Sequence, residues 1–110
     1  MSLSVAVTVT QIGDAAHASK PLSWCDGALV ASDTLQAGLT THAMHYGSGV
    51  FEGIRAYATA DGGAAVFRLP EHLERMRKGA SLLGLAFDPA QATEAVLATL
   101  RANGHRDAYI

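Results

Sequence analysis

Several classes of protein are excluded by what this sequence lacks. Its one cysteine, Cys25, allows no internal disulfide and no multi-cysteine metal cage, and we expect this thiol to be a small buried side chain. Only 16% of the residues are charged, and no run of lysine or arginine forms the basic patch that nucleic acid requires. No secretion signal and no bilayer-spanning apolar stretch is present. We therefore expect a cytoplasmic protein with neither membrane nor nucleic-acid partners.

The first forty residues predict strands joined by a tight turn. Ser4–Ile12 alternates valine with alanine or threonine, which is typical of a strand, and Gly13–Pro21 has the composition of a loop. Asp26-Gly27 lies between two short apolar runs, 22–25 and 28–31, and such a pair favours a type I′ hairpin turn. The polar residues that follow, up to Thr41, are expected to form a connection.

The clearest predicted strand is Val50–Thr59, whose side chains alternate between two faces. Asp61-Gly62-Gly63 predicts a turn back into a second hairpin strand, Ala64–Leu69. Gly53 interrupts the strand pattern, and a glycine there indicates a bulge or the close approach of another group to the backbone.

Two helices follow. Pro70 suits a first helical position, and the apolar stripe of that helix is expected to end near Gly84. Asp88 is a helix cap, followed by Pro89, and Gly104 is expected to end the second helix. Strands followed by helices predict an α+β fold, an antiparallel sheet with two helices on one face. The predicted buried positions are Leu69, Leu73, Met76, Ala80 and Leu83 in the first helix and Ala92, Val96 and Leu100 in the second.

Three motifs near position 45 give little support for a nucleotide-binding, nucleophilic or metal site. Gly47-Ser48-Gly49 lacks the third glycine of a dinucleotide fingerprint and the lysine of a P-loop, and Ser48 has no nucleophile-elbow motif around it. His42 and His45 have a spacing that suits metal ligands, but no acidic residue completes a set. We interpret them as hydrogen-bonded structural histidines and expect no metal site.

Two arginines, Arg55 and Arg75, carry more weight. Arg55 shares a predicted strand face with Phe51 and Tyr57, a face expected to pack, so it needs a carboxylate or a bound anion. Arg75, in the second turn of the first helix, could bind a phosphate or carboxylate through its planar fork. A surface or intersubunit salt bridge is the alternative for each. Glu52 is interpreted as a hydrogen-bonding or salt-bridge group and not as a general acid.

The runs His45–Tyr57 and Val66–Met76 closely resemble a known family. The first contains the specific string Val-Phe-Glu-Gly-Ile-Arg, and the likeness extends from about Trp24 to the closing Ala108-Tyr109-Ile110. These residues resemble the N-terminal domain of branched-chain amino-acid aminotransferases, which are pyridoxal-phosphate enzymes of fold type IV. The resemblance implies transfer of the amino group between Leu, Ile or Val and 2-oxoglutarate, and a homo-oligomer such as a homodimer.

The resemblance also implies site residues. Arg75 matches the arginine that binds the phosphate of pyridoxal 5′-phosphate. Tyr46 and Phe51 match apolar pocket walls, Tyr46 typically reaching a neighbouring subunit's site. Tyr109 matches a pocket tyrosine just ahead of an arginine that helps to hold an acidic substrate's carboxylate. The substrate-binding positions implied are Tyr46, Phe51, Gly53, where backbone approaches substrate or cofactor, Arg55, near the substrate, and Tyr109.

The family's Schiff-base lysine and the arginine expected after Ile110 are not matched. The two lysines, Lys20 and Lys78, do not match the catalytic position, so we assign no catalytic residue and expect this chain alone to be inactive. We treat residues 1–20 as a strand and loop of unclear role and 21–110 as the small domain, truncated before the lysine-bearing domain. The alternatives are a non-catalytic binding module of the same fold, a D-amino-acid aminotransferase and an aminodeoxychorismate lyase.

Overall fold

The computed structural model describes residues 6–7, 10–11 and 20–110. A short 3-10 turn, Ser32–Thr34, lies in the predicted connection, and a one-turn helix forms where no helix was expected. Within the described residues the strands are β1 (Ala6–Val7), β2 (Thr10–Gln11), β3 (Leu22–Cys25), β4 (Ala28–Ala31), β5 (Arg55–Ala58), β6 (Ala64–Val66) and β7 (Ala108–Tyr109). The helices there are α1 (His42–His45), α2 (Leu69–Leu82) and α3 (Pro89–Asn103).

The strands pair in two antiparallel sheets, in the orders β1-β3-β4 and β2-β7-β5-β6. The α+β class is confirmed, but the expectation of one sheet with two helices was too simple. The first hairpin pairs with β1 and not with the second hairpin, so the described part of the chain has two small sheets and three helices. Helix α3 packs against both α2 and the first sheet, which joins the layers.

Both predicted hairpins are confirmed. In the first, Leu22 pairs with Ala31 and Cys25 with Ala28, and Asp26 and Gly27 have φ values of 48° and 95°. Positive φ at both central residues is what a type I′ turn requires. In the second hairpin, the returning strand ends at 66, because residue 69 already begins α2.

The predicted strand Val50–Thr59 was too long, because only Arg55–Ala58 pairs regularly. Within the described residues, 50–53 form no backbone–backbone hydrogen bond, and alternation alone cannot supply the partner that a strand needs. The side chains alternate between two faces as predicted, but the face of Arg55, which was expected to pack, is not the buried one. Ile54 and Ala56 are buried, whereas the face of Arg55 is exposed.

Both long helices follow the sequence closely. Helix α2 begins one residue before Pro70 and is capped by Leu83, which is exposed and not buried as expected. Helix α3 begins after Asp88, whose carboxylate accepts a hydrogen bond from the Ala90 amide at 2.9 Å, and Gly104 ends it with a φ of 66°. These are the capping groups that the free helix ends need.

The core lies between the second sheet and the two long helices. Val7 and Phe87 pack against its edge. Of the predicted strand Ser4–Ile12, only β1 and β2 belong to the described residues, and most of the predicted loop, 13–19, also lies outside them. The buried core side chains are Ile54, Ala56, Leu69, Leu73, Ala92, Val96, Leu100 and Ala108.

Asp88→Ala is expected to lower the free energy of unfolding by about 1 kcal/mol, since it removes the acceptor for an α3 amide. Chemical denaturation measures the change. Gln91→Ala, at an exposed position in the same helical turn, is the matched control and should leave the midpoint almost unchanged. Equal midpoints for the two variants would contradict the capping role.

Candidate functional site

Segment 50–54, which precedes β5, lies along helix α2 and carries the site. Val50 and Glu52 contact that helix, and Ile54 is buried in the core, so these alternate residues share one face. At one end of the segment, a Cβ built on Gly79 would lie 2.9 Å from Val50 Cγ1, so the helix admits the valine only because residue 79 is glycine. One helical turn earlier on α2 lies Arg75, which meets Glu52.

Glu52 accepts three hydrogen bonds from helix α2. Arg75 donates through Nε to Oε1 at 2.6 Å and through Nη2 to Oε2 at 2.7 Å, a bidentate pair. His72 Nδ1 lies 2.8 Å from the same Oε2. A carboxylate can only accept, so His72 must carry its proton on Nδ1. The i, i+3 spacing of His72 and Arg75 is what brings both donors to one carboxylate.

The ionisation states of Glu52 and Arg75 depend on the contact between them. Its side chain is only 7% exposed, whereas that of Arg75 is 71% exposed. The hydrogen bonds from Arg75, and secondarily the one from His72, hold the pKa of Glu52 below its ordinary value although burial opposes them. Glu52 in turn raises the pKa of Arg75. The pair is therefore ionised at neutral pH.

The guanidinium of Arg75 keeps donors for a further anion. It has five N–H groups, and Glu52 takes one from Nε and one from Nη2. Nη2 lies 3.5 Å from His72 Nδ1, which is itself a donor and so accepts nothing from it. Within the described residues no hydrogen bond uses Nη1. An exposed fork with free N–H groups suits a phosphate or a carboxylate.

An apolar cleft of about 230 Å³ opens beside this cluster. Glu52 is the charged residue in its lining, and its oxygens are already engaged by His72 and Arg75. The other lining residues come from β1, the segment, the two long helices, the connection between them and the last residue, and include Val7, Val50, Phe51, Leu73, Phe87 and Ile110.

Gly53 lies directly beneath the phenol of Tyr109. A Cβ at residue 53 would collide with the phenol oxygen and approach Cζ at 3.0 Å. Next to this contact, Ile54 and Ile110 exchange backbone hydrogen bonds of 2.9 and 2.8 Å, which fixes the register of β5 and β7. The predicted close approach to Gly53 is confirmed for the tyrosine. The approach of substrate or cofactor to Gly53 stays a prediction.

The structure does not bring all the predicted site residues together. Arg55 is exposed and lies with Cζ 5.4 Å from the ring centre of Tyr57, a cation–π contact, and among the described residues it has no carboxylate partner. Phe51 is 90% exposed, and Tyr46 is also exposed and contacts the rings of His42 and His45. The structure joins Gly53 with Tyr109, and Glu52 with Arg75.

The expected absence of a metal site is untested for the residues outside the described ranges. Among the described residues, no group of three His, Cys, Asp or Glu side chains could hold an ion. His42 and His45 are exposed, and their rings contact Tyr46 in place of the hydrogen bonds expected for them.

Cys25 is half-buried. No described helix combines the length and apolarity needed to cross a bilayer.

Sequence reasoning missed two members of the site, His72 and Gly79. Both could have been found by placing the alternating face of 50–54 against the predicted helix. The spacing of His72 and Arg75 puts both on the helix face that a carboxylate could bridge. A glycine inside a predicted helix weakens it unless another group must approach closely, which is the role of Gly79.

Comparison with known proteins identifies the family. The family model described as amino-transferase class IV matches residues 49–110, more than half of the chain, and this region includes the segment, α2, α3 and β7. The chain belongs to the amino-transferase class IV family.

Relatives of this class IV chain are branched-chain aminotransferases, as the resemblance predicted. The branched-chain-amino-acid aminotransferase of Pseudomonas aeruginosa is 39% identical over 89 residues, which is 79% of this chain and 29% of the relative. The Escherichia coli K12 enzyme of the same name is 34% identical over 89 residues, 79% of this chain and 28% of the relative. The chain thus spans less than a third of the curated relatives it matches.

Solved structures of the same class share the fold. The T.th. branched-chain amino acid aminotransferase, complexed with N-(5′-phosphopyridoxyl)-L-glutamate, is 42% identical with a TM-score of 0.76, over 83% of this chain and 31% of that one. The Thermoproteus uzoniensis enzyme with norvaline is 36% identical with a TM-score of 0.76, over the same shares of each chain. A further structure of the T.th. enzyme contains pyridoxamine 5′-phosphate, with the same identity, TM-score and coverage as the first.

Gly53→Ala is expected to displace the Tyr109 ring, because the new methyl group would occupy the place of the phenol oxygen. The ring end is half-exposed and can rotate away, so the free energy of unfolding should change by less than about 1 kcal/mol. NMR shifts of the Tyr109 ring measure the displacement. Gly38→Ala is the control, since a Cβ there meets only Thr41 Oγ1, at 3.9 Å. Unmoved Tyr109 signals in Gly53→Ala would refute the contact.

The lowered pKa of Glu52 predicts a loss of stability in acid. Its unfolded-state pKa is near 4.5 and its folded-state pKa is lower, so the contribution is present above about pH 4.5. It is lost as the pH falls through the folded-state pKa. The unfolding free energy of the unsubstituted chain minus that of Glu52→Gln should therefore be largest above about pH 5 and shrink in acid. Urea denaturation across pH measures it, and a difference independent of pH would contradict the ionised pair.

Proposed function

We propose that this chain is the N-terminal part of a pyridoxal-phosphate-dependent aminotransferase that moves the amino group between branched-chain L-amino acids and 2-oxoglutarate. The observation that carries the proposal is the anchored but exposed guanidinium of Arg75 beside an apolar cleft. It occurs in a chain whose relatives are branched-chain aminotransferases.

The residues present fit the phosphate of the cofactor. Arg75 offers free N–H donors that match phosphate oxygens, and the Glu52 carboxylate beside it is already engaged by His72 and Arg75 of helix α2. Pyridoxal phosphate, when bound, supplies the carbonyl group that takes up the amino group from the amino acid. Within this chain the role of Arg75 is to bind and orient that cofactor through its phosphate.

The substrate class follows from the apolar surfaces around the segment. Apart from Glu52, the cleft is lined by apolar side chains, which include the ring of Phe51. Tyr46, close to it in sequence, presents further exposed aromatic surface. We assign Phe51, Tyr46 and Tyr109 to the apolar wall that receives the branched side chain, with Gly53 leaving room for the ligand. Arg55 lies nearer the solvent and is assigned to the outer part of the substrate site. The names of the relatives favour this class over D-amino acids and aminodeoxychorismate.

We assign no catalytic lysine to this chain. Lys20 forms an exposed ion pair with Asp33 at 2.8 Å, and Lys78 is 71% exposed, so neither ammonium is desolvated as a catalytic amine usually is. Transamination by the 110 residues alone is therefore not expected. The proposal takes 21–110 as the small domain of a cytoplasmic homo-oligomer and leaves residues 1–20 without a role.

Arg75→Gln should weaken the binding of pyridoxamine 5′-phosphate by about tenfold or more, the usual magnitude for hydrogen bonds to a charged group. Pyridoxamine 5′-phosphate is chosen because it lacks an aldehyde that could react with the two lysines. Isothermal titration calorimetry on the 110-residue chain measures the dissociation constant, with pyridoxamine as the ligand that lacks phosphate.

Arg77→Gln is the matched control, because Arg77 lies two residues away and forms an intrahelical bidentate pair with Glu74. It should leave the dissociation constant within about twofold, since surface pairs interact weakly with distant charges. The assignment of Arg75 fails if Arg75→Gln and Arg77→Gln bind equally well, or if the unsubstituted chain does not prefer the phosphorylated ligand.

A further inference from the structure

We propose that Glu52 is a positioning residue, which holds the Arg75 guanidinium in the orientation that a phosphoester requires. The inference rests on the proposed function, because it assumes that Arg75 binds the phosphate. It assigns to Glu52 a purpose beyond folding: the carboxylate holds the Nε–Nη2 edge of the guanidinium, so that the outer edge formed by Nη1 and Nη2 keeps a fixed direction.

The Glu52–Arg75 pair differs from an ordinary surface ion pair on the same helix. Arg77 and Glu74 are also bidentate, at 2.7 and 2.7 Å, but they are helical neighbours with side chains 44% and 46% exposed. Glu52 comes from another segment and is nearly buried, and His72 donates a third hydrogen bond to it. Because the nearly buried Glu52 carboxylate accepts three hydrogen bonds, its orientation is fixed. The orientation of the Arg75 guanidinium bound to it is therefore fixed as well.

Glu52 is itself held in place from both sides along the chain. Two residues before it, Val50 contacts α2 at Gly79. Two residues after it, Ile54 is buried and exchanges two backbone hydrogen bonds with Ile110. The carboxylate thus stands on a short segment anchored to the helix at one end and to the second sheet at the other.

Fixing Arg75 in advance changes the free energy of anion binding. A free arginine side chain loses rotamer freedom when it binds, and this loss reduces affinity by about two- to tenfold per side chain. With its Nε edge held by Glu52, Arg75 has lost most of that freedom before the ligand arrives. The opposing effect is electrostatic, since the carboxylate also repels the phosphate.

These two effects have opposite signs, so they can be separated. Removing the charge of Glu52 would strengthen phosphate binding if Coulomb attraction alone governed it. If positioning governs it, Glu52→Gln weakens binding although the site has become more positive. Glu52→Asp keeps the charge but shortens the side chain by one methylene, so it should also weaken binding, and charge cannot account for that change.

The test measures the affinity of the 110-residue chain for pyridoxamine 5′-phosphate by calorimetry at constant salt. We expect Glu52→Gln and Glu52→Asp to bind about two- to tenfold more weakly than the unsubstituted chain. Glu74→Gln removes the same charge from the pair with Arg77 and is the matched control, expected to bind equally well or slightly more tightly. In the Arg75→Gln background, Glu52→Gln should cause no further weakening, because the positioning acts through the arginine.

A ligand-free readout accompanies the titration. The Nε–Hε group of Arg75 should give a protected NMR signal in the unsubstituted chain and in Glu74→Gln, and lose its protection in Glu52→Gln. Circular dichroism confirms folding, and a variant that fails to fold is replaced by Glu52→Asp in both measurements.

Equal or tighter binding by Glu52→Gln and Glu52→Asp would overturn the positioning role while leaving the proposed function intact. An Arg75→Gln variant that binds as well as the unsubstituted chain would instead overturn the proposed function itself. The two failures are therefore distinguishable in one series of titrations.

Discussion

The ion pair between Glu52 and Arg75 is the interaction on which the site depends. Together with the hydrogen bond from His72 to Glu52, it joins segment 50–54 to a helix at a point where the neighbouring contacts are apolar or glycine-mediated. Apolar contacts are nondirectional, so they set the distance between two elements more strictly than their register. A bidentate pair with a fixed carboxylate sets the register too. The position of the guanidinium is therefore determined by chemistry within this chain.

Two glycines make this arrangement possible from opposite sides. Gly79 lets Val50 approach the helix, and Gly53 lets the Tyr109 phenol lie against the segment. With any Cβ at either position, a neighbour would have to move. The segment is thus enclosed between a helix and a tyrosine although it forms no sheet ladder of its own over residues 50–53. Close approach replaces backbone pairing as the source of order there.

Local sequence signals predicted the parts of the fold that depend on local interactions. The Asp26-Gly27 turn and the two caps of α3 involve groups within a few residues of one another, and all were confirmed. The length of β5 and the burial of its faces depend on partners distant in sequence, and both expectations were wrong. Arg75 was identified as a candidate anion-binding side chain from its chemistry, and only the family resemblance assigned it to a phosphate. The interpretation of Glu52 as a hydrogen-bonding or salt-bridge group was confirmed, but its partners were not predicted, since pairing across 23 positions leaves no local signal.

The two faces of the segment differ in whether they have partners within this chain. The face of Glu52 is satisfied inside this chain, by three hydrogen bonds and by packing against α2. The opposite face leaves Phe51 almost fully exposed, and an aromatic ring in water selects no side chain. Recognition of an anion can therefore be built into these 110 residues, whereas selection among amino-acid side chains needs a surface that encloses Phe51. Under the proposed function, Phe51 is one wall of such a pocket, and the Glu52–Arg75 pair is the part of the site that is complete within the described residues.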